Sequence, residues 1–530
     1  MGQVTGERAA GRLPAAARWM AAAATMAIAA SVLLMLIVAV LGPSAAVPKI
    51  PAAGSWPVYF SRSHPSAVEV AVLIWLSAAA GGTGLTLGLL AVRRGWRPPA
   101  RRLILGSMLA VIALAVTPPV GSTDILDYVV YGRLATMDHS PYVETPLQLR
   151  ESGDPIGAIA PHPWQTQVSV YGPIATATER AASELAGPSA AARTVFWLKV
   201  WNGLAYLALV LALDRALRSA SALRARAHLL WSVNPFMLFG VMAGGHVDGL
   251  ATAAGVIGLL VFRRIDARHG LAAGLLVGLS VAVKAPFALF GGGLAWASRR
   301  SPRTLLTLAL GAVAVLVPGY VLAGKPAVTA LVDTSHGAVD LYQPWQLLYH
   351  VVHWSQVSQP TDAVALIAAV LLAVVLLWRL PAGLPGLPAV QPALALTLAW
   401  LICSPQQRPW FDAMIFPLLA LMPATRLDWV VLLRALVATA AELPGVTYYP
   451  YLRPPWLSAT ANVISRGIAP AALTVAAAAL LYLCITNRWT RGGSPDEMPP
   501  QLAGPARTGH DADRGRGGRA GPDTAGRPAT

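Results

Sequence analysis

Pro118-Pro119-Val120-Gly121-Ser122-Thr123-Asp124-Ile125-Leu126-Asp127-Tyr128-Val129-Val130-Tyr131-Gly132-Arg133 marks the point where an apolar segment stops and a long polar loop begins. Two carboxylates, two tyrosines and an arginine follow closely, directly against what reads as the outer end of a membrane helix. Charge at that depth is costly, so residues of this kind point to function by default. The membrane setting itself follows from composition. Of 530 residues, 55% are hydrophobic and 12% charged, and the mean hydropathy is +0.56. A soluble protein with that balance would lack the polar surface to cover its core. The chain therefore reads as an all-α polytopic membrane protein embedded in a lipid bilayer.

Outward from this stretch, apolar runs long enough to span about 30 Å of hydrocarbon alternate with short arginine clusters. A polar segment, 1–18, precedes the first run at about 19–41, which reads as an uncleaved signal-anchor. Further spans fall near 67–92, 103–116, 194–213, 228–242, 247–262, 270–283, 285–298, 304–322, 361–379, 389–404, 411–423, 429–442 and 466–486. Arg93, Arg94, Arg97, Arg101 and Arg102, then Arg215 to Arg226, Arg263 to Arg268, Arg299 to Arg303, Arg379 and Arg426 all fall on one side, which the positive-inside rule makes cytoplasmic. Both termini then lie in the cytoplasm, and the 118–193 loop lies outside. That loop carries eight acids against four arginines, the opposite sign balance. Gly-Gly and Ala-Pro breaks in 228–262 and 270–298 leave broken or re-entrant helices open there. Two more outer segments, 323–360 and 443–465, are rich in aromatic residues suited to the headgroup level. The stretch 487–530 is Gly, Pro, Arg and Asp with almost no large apolar residue and reads as a disordered cytoplasmic tail.

The net charge of +16 is spread in clusters between spans, which speaks against a nucleic-acid site. The two cysteines sit in or beside apolar segments, so neither a disulfide framework nor a thiolate metal site is indicated. No divalent ion and no cofactor is expected.

Five polar groupings meet the outer side: Asp124-Asp127-Tyr128-Arg133; Tyr171-Gly172-Pro173; Gly244-Gly245-His246-Val247-Asp248; Lys284; and Ser404-Pro405-Gln406-Gln407-Arg408-Pro409-Trp410. Each has an ordinary alternative. Asp124 either caps a helix or works as a base; Asp127 reads as its solvated or capping neighbour. Tyr171-Gly172-Pro173 is otherwise a plain turn, and His246 with Asp248 a polar turn between spans. Lys284, alone between two apolar stretches, must snorkel or find an anion, and Arg408 is otherwise an interfacial anchor. Taken together, they supply carboxylates that accept a proton and cations that hold an anion. An alcohol displacing a phosphate leaving group needs both. A lipid-linked sugar phosphate would place its phosphate at this depth.

In Ser122 to Leu134, Ser140-Pro141-Tyr142, Ser169 to Pro173, Asn234-Pro235, Gly244 to Asp248, Val283-Lys284, Ser404-Pro405 and Pro409-Trp410, in this order, the sequence resembles the actinobacterial polyprenol-phosphate-mannose-dependent α-(1→6)-mannosyltransferases. The likeness covers about residues 100–425. It implies a GT-C-type bundle of about 13–14 transmembrane helices, spanning 19–486, with 118–193 as a large catalytic first outer loop. It implies that Asp124 is the catalytic base, with Tyr128 and Arg133 at the family's spacing. The charges themselves point to Arg133, Lys284, His246 and Arg408 as holders of the donor phosphate, with Tyr128, Asp127, Asp248 and Tyr171 lining the substrate. The activity the likeness implies is inverting transfer of mannose from a polyprenyl-phosphate-mannose donor to an α-1,6-mannan or glycolipid acceptor of the lipomannan and lipoarabinomannan type, on the outer face of the bacterial plasma membrane. Val247, Ser140, Arg408 and Phe411 depart from the family pattern and bear on donor sugar and acceptor. A GT-C transferase using another lipid-linked sugar such as arabinofuranose, and a lipid-linked-sugar flippase, are the alternatives.

Overall fold

The structure, a computed structural model, describes residues 13–490 apart from 52–56, 58–62, 64, 162–163, 189, 334–339, 341, 353–357 and 443–453. Among the described residues it consists of helices and loops, without a strand. The first apolar runs form α1 (Ala15–Val40), α2 (Ala67–Arg93) and α3 (Ala100–Val116). Ser66 starts α2 through a capping box, its hydroxyl accepting from the Glu69 N–H while the Glu69 carboxylate accepts from the Ser66 N–H. α3 takes in Arg101 and Arg102 and so begins earlier than hydropathy alone places it.

The 118–193 loop folds into α4 (Asp124–Thr136), α5 (Pro146–Glu151) and α6 (Pro173–Ala186), and α7 (Ala191–Ala216) follows as a long apolar helix. The next run is broken, as its sequence breaks allowed. It consists of α8 (Ser221–Ala227), a π turn at His228–Ser232, α9 (Pro235–Met237) and a second π turn at Leu238–Ala243. Pro235 has no N–H to donate and disfavours helical geometry at Asn234, so one continuous helix cannot form. The freed groups find partners: the Asn234 side chain accepts from the Phe236 N–H and donates to the Leu230 carbonyl, and the Tyr206 hydroxyl donates to the Trp231 carbonyl. Irregular backbone at membrane depth is tolerated on that condition.

α10 (Asp248–Val261) and α11 (Ala267–Val283) come next, then a 3₁₀ turn at Ala285–Phe287 leads into α12 (Ala288–Ser298), followed by α13 (Pro302–Ala323). The 323–360 segment contains α14 (Lys325–Asp333) and α15 (Trp345–Val352); His336, His353 and Trp354 lie outside the described residues. α16 (Ser358–Arg379) and α17 (Val390–Cys403) follow. The 411–423 run starts as a 3₁₀ segment, Pro409–Met414, before α18 (Phe416–Ala420), and α19 (Leu427–Glu442) comes after it. The last span is longer than hydropathy indicates: α20 (Pro455–Val463), a π turn at Ile464–Ile468 and α21 (Ala469–Thr486) continue one another. Tyr448 to Tyr451 and everything past 490 lie outside the described residues.

Among the described residues six helical stretches are each long and apolar enough to cross a membrane, and α10, α11, α17 and the 409–420 stretch are shorter apolar helices. Two charge clusters mark the ends of this bundle. At one end Asp428, which is fully buried at the start of α19, pairs with Arg226 at 2.5 Å and Arg93 at 3.3 Å. At the other end Glu442 closes α19 and pairs with Arg408 at 2.9 Å. With about 1.5 Å of rise per residue, α19 separates Asp428 from Glu442 by roughly 21 Å.

Candidate active site

The approach to Asp124 is pinned by helices far away in sequence. The Val120 N–H donates to the Ala243 carbonyl at 3.0 Å and the Gly121 N–H to the Ala46 carbonyl at 2.8 Å. Lys199, buried in α7, donates its ammonium to the Thr117 carbonyl at 2.9 Å and the Pro118 carbonyl at 3.4 Å. These carbonyls, freed where α3 ends, have no helical partner of their own. Asp124 is the first residue of α4, and its N–H donates to the Ser122 hydroxyl at 3.2 Å. Its carboxylate lies 3.5 Å from Nδ1 of His246.

His246 stands in the turn between the second π turn and α10. Gly245 makes that turn with φ +73°, and a Cβ there would overlap the Ile125 side chain, so only glycine brings the turn against α4. The Gly245 carbonyl accepts from the Asn202 amide at 3.3 Å. The imidazole is buried and stacks on Trp410, with ring centroids 3.6 Å apart and planes 14° from parallel. Ser122, Gly240, Gly244 and Glu442 line a small cavity beside these two rings.

Lys284 leaves the end of α11 in extended geometry and finds an anion rather than snorkelling. Its ammonium donates to both oxygens of the buried Asp248 at the start of α10, at 3.0 and 2.9 Å. It also lies 4.1 Å from the ring centroid of Phe411 and 5.9 Å from that of Tyr171. Tyr171 is placed by Gly172, whose N–H donates to the Val283 carbonyl at 3.0 Å and which sits so close to α11 that a Cβ would overlap the Ala282 carbonyl. The Tyr128 hydroxyl donates to the Tyr171 hydroxyl at 3.2 Å, and the two rings meet edge to face at 5.0 Å. Arg408 pairs with Asp340 at 3.3 Å as well as with Glu442.

Burial raises the Asp124 carboxyl above its ordinary range, while Arg408, Lys284 and the Ser122 hydroxyl pull it back. His246 is held well below its ordinary value, first by burial and then by Lys284 and Arg408, so its imidazole is neutral. Burial likewise keeps Tyr128 and Tyr171 protonated as donors. A carboxylate with a raised affinity for protons, a neutral imidazole and two cations make a site able to remove a proton and hold an anion.

A family model described as alpha-(1->6)-mannopyranosyltransferase, N-terminal domain, matches residues 24–300, just over half of the chain. The chain belongs to this family. No curated protein and no solved structure matches. In this mannosyltransferase the matched region supplies Asp124, Tyr128, Tyr171, His246, Asp248 and Lys284, while Asp340, Arg408, Trp410, Phe411 and Glu442 come from beyond it.

Two residues singled out from the sequence sit elsewhere. Arg133, nine residues along α4, pairs with Asp154 at 2.8 Å within the 118–193 loop. Asp127, read as solvated or capping, is buried instead: α4 packs it toward α6, and burial first, then the charges of Asp124 and the fully buried Glu179, raise its carboxyl above the ordinary range. Sequence reasoning passed over Lys199, Asp340 and Glu442. The rule that singled out Lys284, an isolated charge inside an apolar run, also finds Lys199. Asp340 and Glu442 carry no such signal, since each sits at the edge of a polar segment. Among the described residues no group of three or more His, Cys, Asp and Glu is placed to hold a metal ion.

Proposed function

We propose that this family member transfers mannose from a polyprenyl-phosphate-mannose donor to a glycan hydroxyl on the outer face of the membrane, in a single inverting displacement. The observation that carries the reading is the Asp124 carboxylate beside His246, under the joint field of Lys284 and Arg408. Asp124 takes the proton of the acceptor hydroxyl as that oxygen attacks the anomeric carbon. The bond from this carbon to the phosphate oxygen breaks, and the polyprenyl phosphate leaves with the electron pair. A β-linked donor therefore gives an α-linked product, matching the α-(1→6) linkage in the family's description.

Lys284 and Arg408 stand where they can stabilise the leaving phosphate. Both already have carboxylate partners, so the phosphate competes with Asp248 for Lys284 and with Asp340 and Glu442 for Arg408. Once the bound phosphate has taken those partners' place, both cations are in position before the leaving group departs, and fixed charge of this kind is where much of the rate effect arises. Tyr128 and Tyr171, as protonated phenols, offer hydrogen bonds to sugar hydroxyls. Arg133, at the far end of α4, is nearer the polar loop and suits contact with the acceptor.

The test uses purified protein in lipid nanodiscs, polyprenyl-phosphate-mannose and a short α-mannoside, with chain extension followed by mass spectrometry. Asp124→Asn should slow transfer by about 10²-fold or more, the usual contribution of a general base, with the fold unchanged by thermal unfolding. Undiminished transfer by that variant would remove Asp124 as the base. Extension from an arabinofuranosyl donor alone would reassign the sugar. Lipid-linked sugar that crosses the bilayer without reacting would indicate a flippase.

A further inference from the structure

One ion pair inside the bundle lies outside the site and touches none of its reacting groups. Arg434, midway along α19, places Nη1 2.6 Å from Oδ1 of Asp412, and both residues are buried. Its Nη2 donates to the side-chain carbonyl of Gln407 at 2.9 Å. Desolvating both charges is expensive, and an apolar pair of similar volume would often be as stable or more so. Stability alone therefore does not account for the pair.

Its position does. Asp412 and Gln407 bracket Arg408, Trp410 and Phe411, the residues that reach Glu442, stack on His246 and lie against Lys284. This stretch is a 3₁₀ turn preceded by extended backbone, which by itself holds its side chains less firmly than an α-helix does. Arg434 grips it at both ends. The Gln407 N–H also donates to the Asp340 carboxylate at 2.6 Å, the Tyr342 hydroxyl donates to the Gln407 carbonyl, and the Asp340 N–H donates to the Pro405 carbonyl at 3.1 Å. The 323–360 segment is thereby tied to the same clamp.

We infer that Arg434 and Asp412 are positioning residues: their ion pair holds the 407–412 turn so that Trp410 stacks on His246 and Arg408 faces Asp124. The inference rests on the active-site reading above for its consequence in catalysis, but not for its geometry.

Three variants test it: Arg434→Leu, Asp412→Leu and the double variant. The single variants leave one buried charge unpaired and should unfold more readily. The double variant removes both charges and should keep the wild-type melting temperature. The decisive readout is the ring signal of His246 in protein labelled with ¹³C-histidine, identified as the signal lost in His246→Gln. Stacking on Trp410 places that ring in the indole's ring current. In the folded double variant the signal should move toward the position of an unstacked imidazole. Transfer should fall at least tenfold in kcat, with a smaller change in KM for the donor. An unmoved His246 signal in a folded double variant would overturn the inference, and so would full activity in that variant. Wild-type protein that transfers no sugar would count against the proposed function alone, because the His246 signal still decides the positioning.

Discussion

At the scale of single residues, the site depends on places where no side chain fits and on carboxyls that have lost water. Gly172 lies so close to the end of α11 that any Cβ meets the Ala282 carbonyl. Gly172→Ala should push Tyr171 off Lys284, costing about 1–3 kcal/mol as overpacking does, read as a lower melting temperature and weaker donor binding. Asp127 and Glu179 illustrate the other effect. Burial raises both carboxyls, and for Asp127 the charges of Asp124 and Glu179 add to it. The unfolded chain releases these protons near the ordinary carboxyl range, at about pH 4, whereas the folded chain holds them to higher pH. Over that window the folded state binds more protons, so its stability falls as pH rises. Thermal unfolding from about pH 4.5 upward should show this decline in wild-type protein, and Asp127→Asn with Glu179→Gln should flatten it. An equally steep decline in the double variant would mean that other groups carry it. The residue types were visible in the sequence. That Asp127 is buried was not, because burial depends on α6 arriving from some fifty residues away.

At the scale of elements, the α10 start and the α11 end are joined by the pair of Asp248 with Lys284. A lone lysine in an apolar run demanded a partner, and the sequence said so without naming it. Lys284→Met strands the fully buried Asp248 and should cost about 3–5 kcal/mol, the usual penalty of breaking a buried pair. Adding Asp248→Asn should recover much of the melting temperature, because the stranded charge is gone, yet leave transfer impaired because the phosphate has lost Lys284. Recovery of both together would make the pair purely structural. The run from α8 to the second π turn was legible only in part: the Gly244-Gly245 pair marked a break at its end, while the interruption at Pro235 falls inside the stretch 228–242 that reads as one span. Its replacement hydrogen bonds were not legible, because Tyr206 supplies one of them from another helix. The pairs Arg434 with Asp412 and Arg408 with Glu442 escaped the sequence for the same reason: attraction between charges tens of residues apart leaves no periodic trace.

At the scale of the whole molecule, hydropathy located nearly every apolar helix, since an 18-residue apolar run has few fates other than a membrane. Exposed apolar residues such as Leu322 in α13 and Trp378 in α16 are what lipid contact requires. Orientation rests on arginine bias alone, and the two charge clusters give it a physical form. The Arg93, Arg226 and Asp428 end carries the arginine-rich connections, while the Asp124, His246 and Arg408 end carries the acidic loop. If the positive-inside rule governs, the second end faces outward. In a Cys403→Ser, Cys484→Ser background, which removes both native cysteines, a cysteine is placed at Asp138, whose side chain is 85% exposed on the 118–193 loop. Another is placed at the exposed Arg300 after α12. A membrane-impermeant maleimide added to intact cells should label position 138 at once and position 300 only after the membrane is permeabilised. The reverse pattern would put Asp124 and the two cations in the cytoplasm, where an outer-leaflet lipid donor cannot reach them. Labelling of both positions in intact cells would mean that the chain inserts in both orientations, and the arginine clusters would then be too weak to orient it.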